Sequence, residues 1–132
     1  MKLLRTAGRP LLAFTFIRGG FQTFAHPESR AEQAGPTLER LRGLLPFLPD
    51  DPVLLVRANA AVQVAAGLAL AAGRAPRLAA TVLAASLAPT TVAGHPFWAI
   101  DDPARKAQQK SHFAKNLSML GGLLLAAADE RD

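Results

Sequence analysis

Arg18, Arg57, Asn59, His95, His112, Lys115 and Asn116 stand in or beside stretches that are otherwise apolar. An ionisable group in such a stretch needs a partner, a ligand or water to be tolerated, and so marks a site by default. Arg18, Arg57 and Lys115 carry fixed positive charge, and no Asp or Glu lies within the apolar stretches to neutralise them. The nearest carboxylates are Asp50, Asp51, Asp101 and Asp102. The chemistry on offer is therefore attraction: of an anion, a lipid headgroup or a quinone carbonyl. Other chemistry is thinly signalled. With 0 Cys there is no thiolate zinc site, disulfide or dithiol relay. The 3 His residues lack a metal-ligand spacing, so no metal is expected. Nucleophile elbows, phosphate loops and paired catalytic carboxylates are missing too. Catalytic residues are thus unassigned.

Each residue also has a plainer reading. Arg18 and Lys115 suit snorkelling, with the stem buried and the charge at the headgroups. Asn59, Gln63 and Asn116 suit hydrogen bonding between helices. His95, just before Pro96, suits a helix end, and His112 a solvent-facing position. Trp98, with Phe97 beside it, suits an anchor at the membrane interface.

The elements that must position these residues are punctuated by proline. Pro10, Pro52, Pro76 and Pro103 each precede a long helix-compatible stretch, and proline is at home in the first turn because its missing N–H would be unpaired there. Asp51 and Asp102 stand where an N-cap belongs. The expectation is all-α: long helices at about 3–24, 53–72, 77–94 and 104–128, the first of them free to begin before Pro10. Gly73 to Pro76 makes a tight turn, so the flanking helices run antiparallel. In the long first connection Leu38, Leu41, Leu45 and Leu48 recur at helical spacing between charges, as in a short amphipathic helix lying on a surface. Thr90 and Thr91 follow Pro89 inside the third long helix, where their hydroxyls suit carbonyls freed by a proline kink. The 132 residues form a single domain by length.

Half of the chain is hydrophobic (50%) and 19% is charged. From Ala58 to Gly73 and from Leu78 to Gly94 no charged residue occurs at any angle, whereas a helix of a soluble bundle carries a polar stripe. Small residues recur every fourth position (Ala61, Ala65, Ala69; Ala80, Ala84, Ala88), as on closely packed membrane helices. Gly19-Gly20 and Gly121-Gly122 follow the same logic. These features favour a four-helix transmembrane bundle, although only Leu78–Ile100 meets the usual span unaided. Lys2, Arg5 and Arg9 before Leu11–Ile17 also resemble a signal peptide, but Arg18 and the short apolar run argue against cleavage. The +5 net charge is scattered and not interleaved with aromatics, which excludes a nucleic-acid groove.

In an up-and-down bundle the polar residues gather at one face, and the other half is nearly pure Ala, Leu and Gly. Arg18 lies ~9 Å inside the end of its helix at 1.5 Å per residue, deeper than a rim. Basic residues at the opposite face (Lys2, Arg5, Arg9, Arg74, Arg77, Arg131) sit in short segments near helix ends, which favours cytoplasmic termini. A transporter needs a polar path through the whole span, and the Ala/Leu half offers none.

Several pieces together resemble the DoxX family. They are Arg9-Pro10-Leu11-Leu12, Asn59 to Gly67, Leu87-Ala88-Pro89-Thr90-Thr91, His95-Pro96-Phe97-Trp98, Lys115-Asn116-Leu117 and Gly121-Gly122-Leu123, spread from Arg9 to Ala128. The resemblance implies four transmembrane helices in a bacterial inner membrane. It also implies membership of a membrane complex handling oxidative or thiol stress, or a quinone-linked oxidoreductase of the thiosulfate:quinone type. An accessory subunit without catalysis of its own is the first expectation, with the lipid bilayer and protein partners, and an oligomer compatible with both. A quinone is the cofactor implied, since a chain without Cys must borrow its redox group.

Overall fold

The computed structural model describes residues 1–130. They form α1 (Lys2–Ala25), α2 (Glu28–Leu44), α3 (Pro52–Ala71), α4 (Pro76–Gly94) and α5 (Pro103–Ala128), with a short 3-10 turn at Phe97–Ala99. No strand occurs among the described residues. The long helices α1, α3, α4 and α5 start and stop within one residue of the sequence expectation.

Local chemistry explains the starts. The Asp51 carboxylate accepts the Val53 N–H at 2.9 Å ahead of α3, and Asp102 accepts the Arg105 N–H at 3.0 Å ahead of α5. Each caps an otherwise orphaned donor and places negative charge at the positive helix end. Replacing Asp102 by Ala should cost about 1 kcal/mol, read as a lower thermal midpoint in detergent, while Asp101→Ala should cost almost nothing. Between α3 and α4 the backbone reverses through Gly73 (φ 69°) and Ala75 (φ 43°), two left-handed residues before Pro76. Pro10 lies inside α1, well past its first turn.

α1 packs on α3, α3 on α4 and α4 on α5, with a smaller contact between α1 and α5. The tightest approach is between α1 and α3. A Cβ on Gly20 would lie 2.7 Å from Val64 Cγ2 and 3.0 Å from the Ala60 carbonyl oxygen; one on Gly67 would lie 2.9 Å from Ile17 Cγ1. The stripe of Ala61, Ala65 and Ala69 expected to make such a contact is not the buried face of α3. Ala61 and Ala65 are exposed, and the buried face is Ala60, Ala66, Gly67 and Leu70. A dry core of Leu70, Ala79, Ala80, Leu83 and Leu123, with Ala13 and Phe16, fills the half of the bundle near the Gly73–Pro76 turn.

α2 differs from expectation in extent and place. It begins at Glu28, ten residues before the first leucine of the anticipated short helix, and ends at Leu44, before Leu45 and Leu48. Leu45 precedes Pro46, and a residue before proline is disfavoured in the α region. Nor does α2 lie free on a surface: Ala31 and Ala34 are buried, and the helix contacts both α3 and α4. Its far end is tied down by Arg42, whose guanidinium donates to the Pro49 carbonyl at 3.1 Å and the Asp50 carbonyl at 2.6 Å.

Two helical segments, Pro52–Ala71 and Pro76–Ala99, are long and apolar enough to cross a membrane. Only 22% and 33% of their most apolar windows is buried within the molecule, so most of their hydrocarbon faces outward, unlike the core helix of a soluble protein. Leu3, Leu11, Phe14, Phe21, Leu54, Leu68, Leu78, Leu117 and Leu125 are also exposed. At the end of the molecule carrying the termini, Arg5 pairs with Asp129 at 2.9 Å, and Arg77 donates to the Ala127 carbonyl at 3.3 Å. Arg131, counted with the basic residues of this end, lies outside the described residues.

Candidate functional site

The half of the bundle opposite the dry core holds a chamber of about 460 Å³ whose walls come from all five helices. That volume lies within the range of small-molecule sites. α3 and α4 supply its back wall, and there the polar groups are bonded to one another. Asn59 Nδ2 donates to Thr90 Oγ1 at 2.9 Å, Ser86 Oγ donates to Asn59 Oδ1 at 2.6 Å, and Gln63 Nε2 donates to Ser86 Oγ at 3.0 Å. Thr90 Oγ1 donates in turn to the Ser86 carbonyl at 2.7 Å. Nearby, buried Asn116 on α5 donates to Thr91 Oγ1 at 3.1 Å, and Thr91 donates to the Leu87 carbonyl at 2.7 Å. Among the described residues no buried side-chain nitrogen or oxygen lacks a partner. The threonine hydroxyls back-bond to Ser86 and Leu87 rather than to Ala85, the carbonyl four residues before Pro89 and the one that proline deprives of its helical donor.

The mouth of the chamber is built differently. α4 ends at Gly94 because Pro96 follows, and His95 emerges at this C-terminus. His95 Nδ1 lies 2.6 Å from Gln109 Oε1, and its ring stacks on that of His112, centroids 5.2 Å apart and planes 24° apart. The Gln109 contact requires the Nδ1–H form of His95. Lys115 on α5 and Arg30 on α2 complete this rim. Apolar side chains come from every helix, Phe16 of α1, Leu38 and Leu41 of α2, Leu55 and Val56 of α3, Leu87 of α4 and Met119 of α5, and α1 adds the hydroxyls of Thr15 and Thr23.

Of the residues singled out by sequence, Asn59, His95, His112, Lys115 and Asn116 converge on this chamber. Arg18 and Arg57 do not. Arg18 lies about 200° around α1 from buried Phe16, at 100° per residue, and is exposed. Arg57 turns toward α1, where its Nε donates to the Phe24 carbonyl at 3.1 Å and its guanidinium sits 5.9 Å from the Phe24 ring centre. It caps the C-terminal end of a neighbouring helix, as a cation there should. Sequence reasoning missed Ser29, Arg30 and Gln33, which reach the chamber from α2. The signal available was Glu28 placed to begin a helix after Pro27, with Ala31 and Ala34 three residues apart.

Phe97 and Trp98 stand on the 3-10 turn beside the mouth. Phe97 packs edge-on against Trp98 and Phe113, with ring centres 5.2 and 5.3 Å away, and Lys110 Nζ lies 5.6 Å from the Phe97 ring centre. No group of His, Cys, Asp and Glu among the described residues could hold a metal ion.

The family model for DoxX matches residues 4–96. It covers α1 to α4 and the first residues after α4 but stops before α5, so Lys115-Asn116-Leu117 lies outside the matched segment. Neither the curated proteins nor the solved structures contain a significant match to the chain.

Proposed function

This chain belongs to the DoxX family, and from that premise we propose that it is a single four-span domain of a bacterial inner membrane, acting as an accessory subunit of a redox or oxidative-stress complex. Its contribution to that complex is a chamber that binds a quinone or an anion. The observation carrying this reading is the chamber itself: a space of about 460 Å³ lined by both hydrogen-bonding groups and hydrocarbon. Ligand sites are built this way, with a few placed polar groups in an apolar hollow.

The outward apolar faces of α3 and α4 support membrane insertion, and the exposed leucines and phenylalanines of α1 and α5 extend that surface to all four long helices. On α1 and α5 the exposed charges deepest in the helix, Arg18 and Lys115, have stems long enough to reach toward the headgroups. Trp98, 51% exposed beside Phe97, suits an interfacial anchor. Lys2, Arg5, Arg9, Arg74 and Arg77 share one end with the Gly73–Pro76 turn, which favours cytoplasmic termini and a chamber opening toward the periplasmic face.

The residues present fit a quinone ring. Its carbonyl oxygens would meet donors at Lys115, His112 and Gln33, and its ring the side chains of Phe16, Leu55 and Leu87. A bound quinone would supply the two-electron couple that a chain without cysteine lacks. The chain's own groups would orient it, donate hydrogen bonds to its carbonyl oxygens and exclude water along the apolar wall.

The test is mass spectrometry of small molecules retained by the protein in native lipid discs, wild type beside His112→Leu. A quinone or a discrete anion held by the wild type and reduced about tenfold in the variant, the worth of one charge-assisted hydrogen bond, is expected. Bulk lipid alone, identical in both samples, overturns the binding role and leaves the polar groups as packing.

A further inference from the structure

Resting on the reading that the chamber binds a ligand, we infer that this ligand is an anion-headed amphiphile, its head held between Arg30 of α2 and Lys115 of α5 and its hydrocarbon along the apolar wall. The polar groups of the chamber divide into two sets. Asn59, Gln63 and Thr90 are bonded to one another directly or through buried Ser86 behind them. Arg30 and Lys115 are different: among the described residues neither makes a hydrogen bond or an ion pair with the protein, and the ion pair of Arg5 with Asp129 lies at the other end. No Asp or Glu is part of the chamber's described wall. The two cations come from separate helices, and both line the chamber that His95 also lines.

A neutral ligand leaves this set incomplete. A quinone carbonyl accepts a hydrogen bond but brings no charge to two cations held at the edge of a low-dielectric space, whereas a carboxylate or phosphate satisfies both, most strongly as the planar fork of Arg30 meets paired oxygens. A free inorganic anion answers the charge but leaves Phe16, Leu38, Leu41, Leu55, Val56 and Met119 lining a void. Joining the two requirements gives one chemical class: a single hydrocarbon chain ending in a carboxylate or phosphate.

The experiment is native mass spectrometry of the delipidated full-length protein in detergent, titrated separately with palmitate, cetyl alcohol, inorganic phosphate and ubiquinone-1. Palmitate is expected to bind at least ~10-fold more tightly than cetyl alcohol and ~100-fold more tightly than phosphate, one to two decades being the ordinary worth of a charge-assisted contact and of several buried methylenes. Arg30→Gln and Lys115→Gln should each weaken palmitate about 10-fold without changing cetyl alcohol, and Arg30→Lys should restore part of the loss. Both residues are solvent-facing, so the variants fold, as an unchanged thermal midpoint would verify. Ubiquinone-1 binding with palmitate no tighter than cetyl alcohol overturns this inference and leaves the proposed function standing. Phosphate matching palmitate overturns the amphiphile and leaves an anion site. No binding of any probe overturns both.

Discussion

Gly20→Leu is expected to lower the thermal midpoint of the detergent-solubilised protein by about 10 °C, from a loss of about 3 kcal/mol. At Gly20 even a methyl group would stand 2.7 Å from Val64 Cγ2 and 3.0 Å from the Ala60 carbonyl oxygen. The valine can turn; the carbonyl belongs to the backbone of α3 and cannot yield without moving the helix. Larger side chains must therefore separate α1 from α3, the most extensive helix contact in the molecule. Gly19 is the control, because a Cβ there meets nothing within 4 Å, and Gly19→Ala should change stability by no more than about 0.5 kcal/mol. Gly67→Ala should fall between, its nearest obstacle being Ile17 Cγ1 at 2.9 Å. Equal effects at Gly19 and Gly20 would sink the close-approach account.

The second large effect is expected at Asn59. Asn59→Leu removes the acceptor of the Ser86 hydroxyl and the donor to Thr90 in one step. Ser86 is 8% exposed, so its hydroxyl loses a partner where water does not readily replace it. A cost of about 1–2 kcal/mol follows, the lower part of that range being usual between membrane helices. The same substitution puts a leucine where the chamber has a polar wall, so retention of bound small molecules should fall with it. Combining Asn59→Leu with Ser86→Ala tests the cause. Removing both ends of a hydrogen bond is cheaper than removing one, so the double variant should be more stable than the sum of the single losses predicts, by about 0.5–1.5 kcal/mol in a double-mutant cycle. Strict additivity would mean that the Asn59–Ser86 bond contributes no coupling.

The long helices were legible because their starts carry chemistry in the sequence: an aspartate at the cap followed by proline, at Asp51-Pro52 and Asp102-Pro103. The convergence of Asn59, His95, His112, Lys115 and Asn116 was legible from depth, since an up-and-down bundle brings alternate helix ends to one level. Depth is not azimuth, however. Arg18 lies at the right level and on the wrong side of α1, and Arg57 reaches sideways to a neighbouring helix end. The direction of the buried face follows from where α1 and α3 can approach most closely, and that is decided by Gly20 and Gly67, not by the alanine stripe. α2 was half hidden. Residues 28–37 contain Gly35, Pro36 and several charges, and offer only Ala31 and Ala34 to the interior, too little apolar surface for a periodic signal. Arg30 and Gln33 were lost with it.

Because the chamber draws one wall from each of the five helices, whatever occupies it bridges segments that are otherwise joined pairwise. Binding to the assembled form alone adds stability by mass action, about 2.7 kcal/mol when the free ligand stands at one hundred times its dissociation constant. Abundance of the protein in the cell would then follow supply of the small molecule: scarce ligand leaves a larger fraction of chains loosened and open to membrane proteases, and plentiful ligand lengthens their lifetime. The hollow in the bundle thus makes turnover of the chain itself a gauge of what fills it.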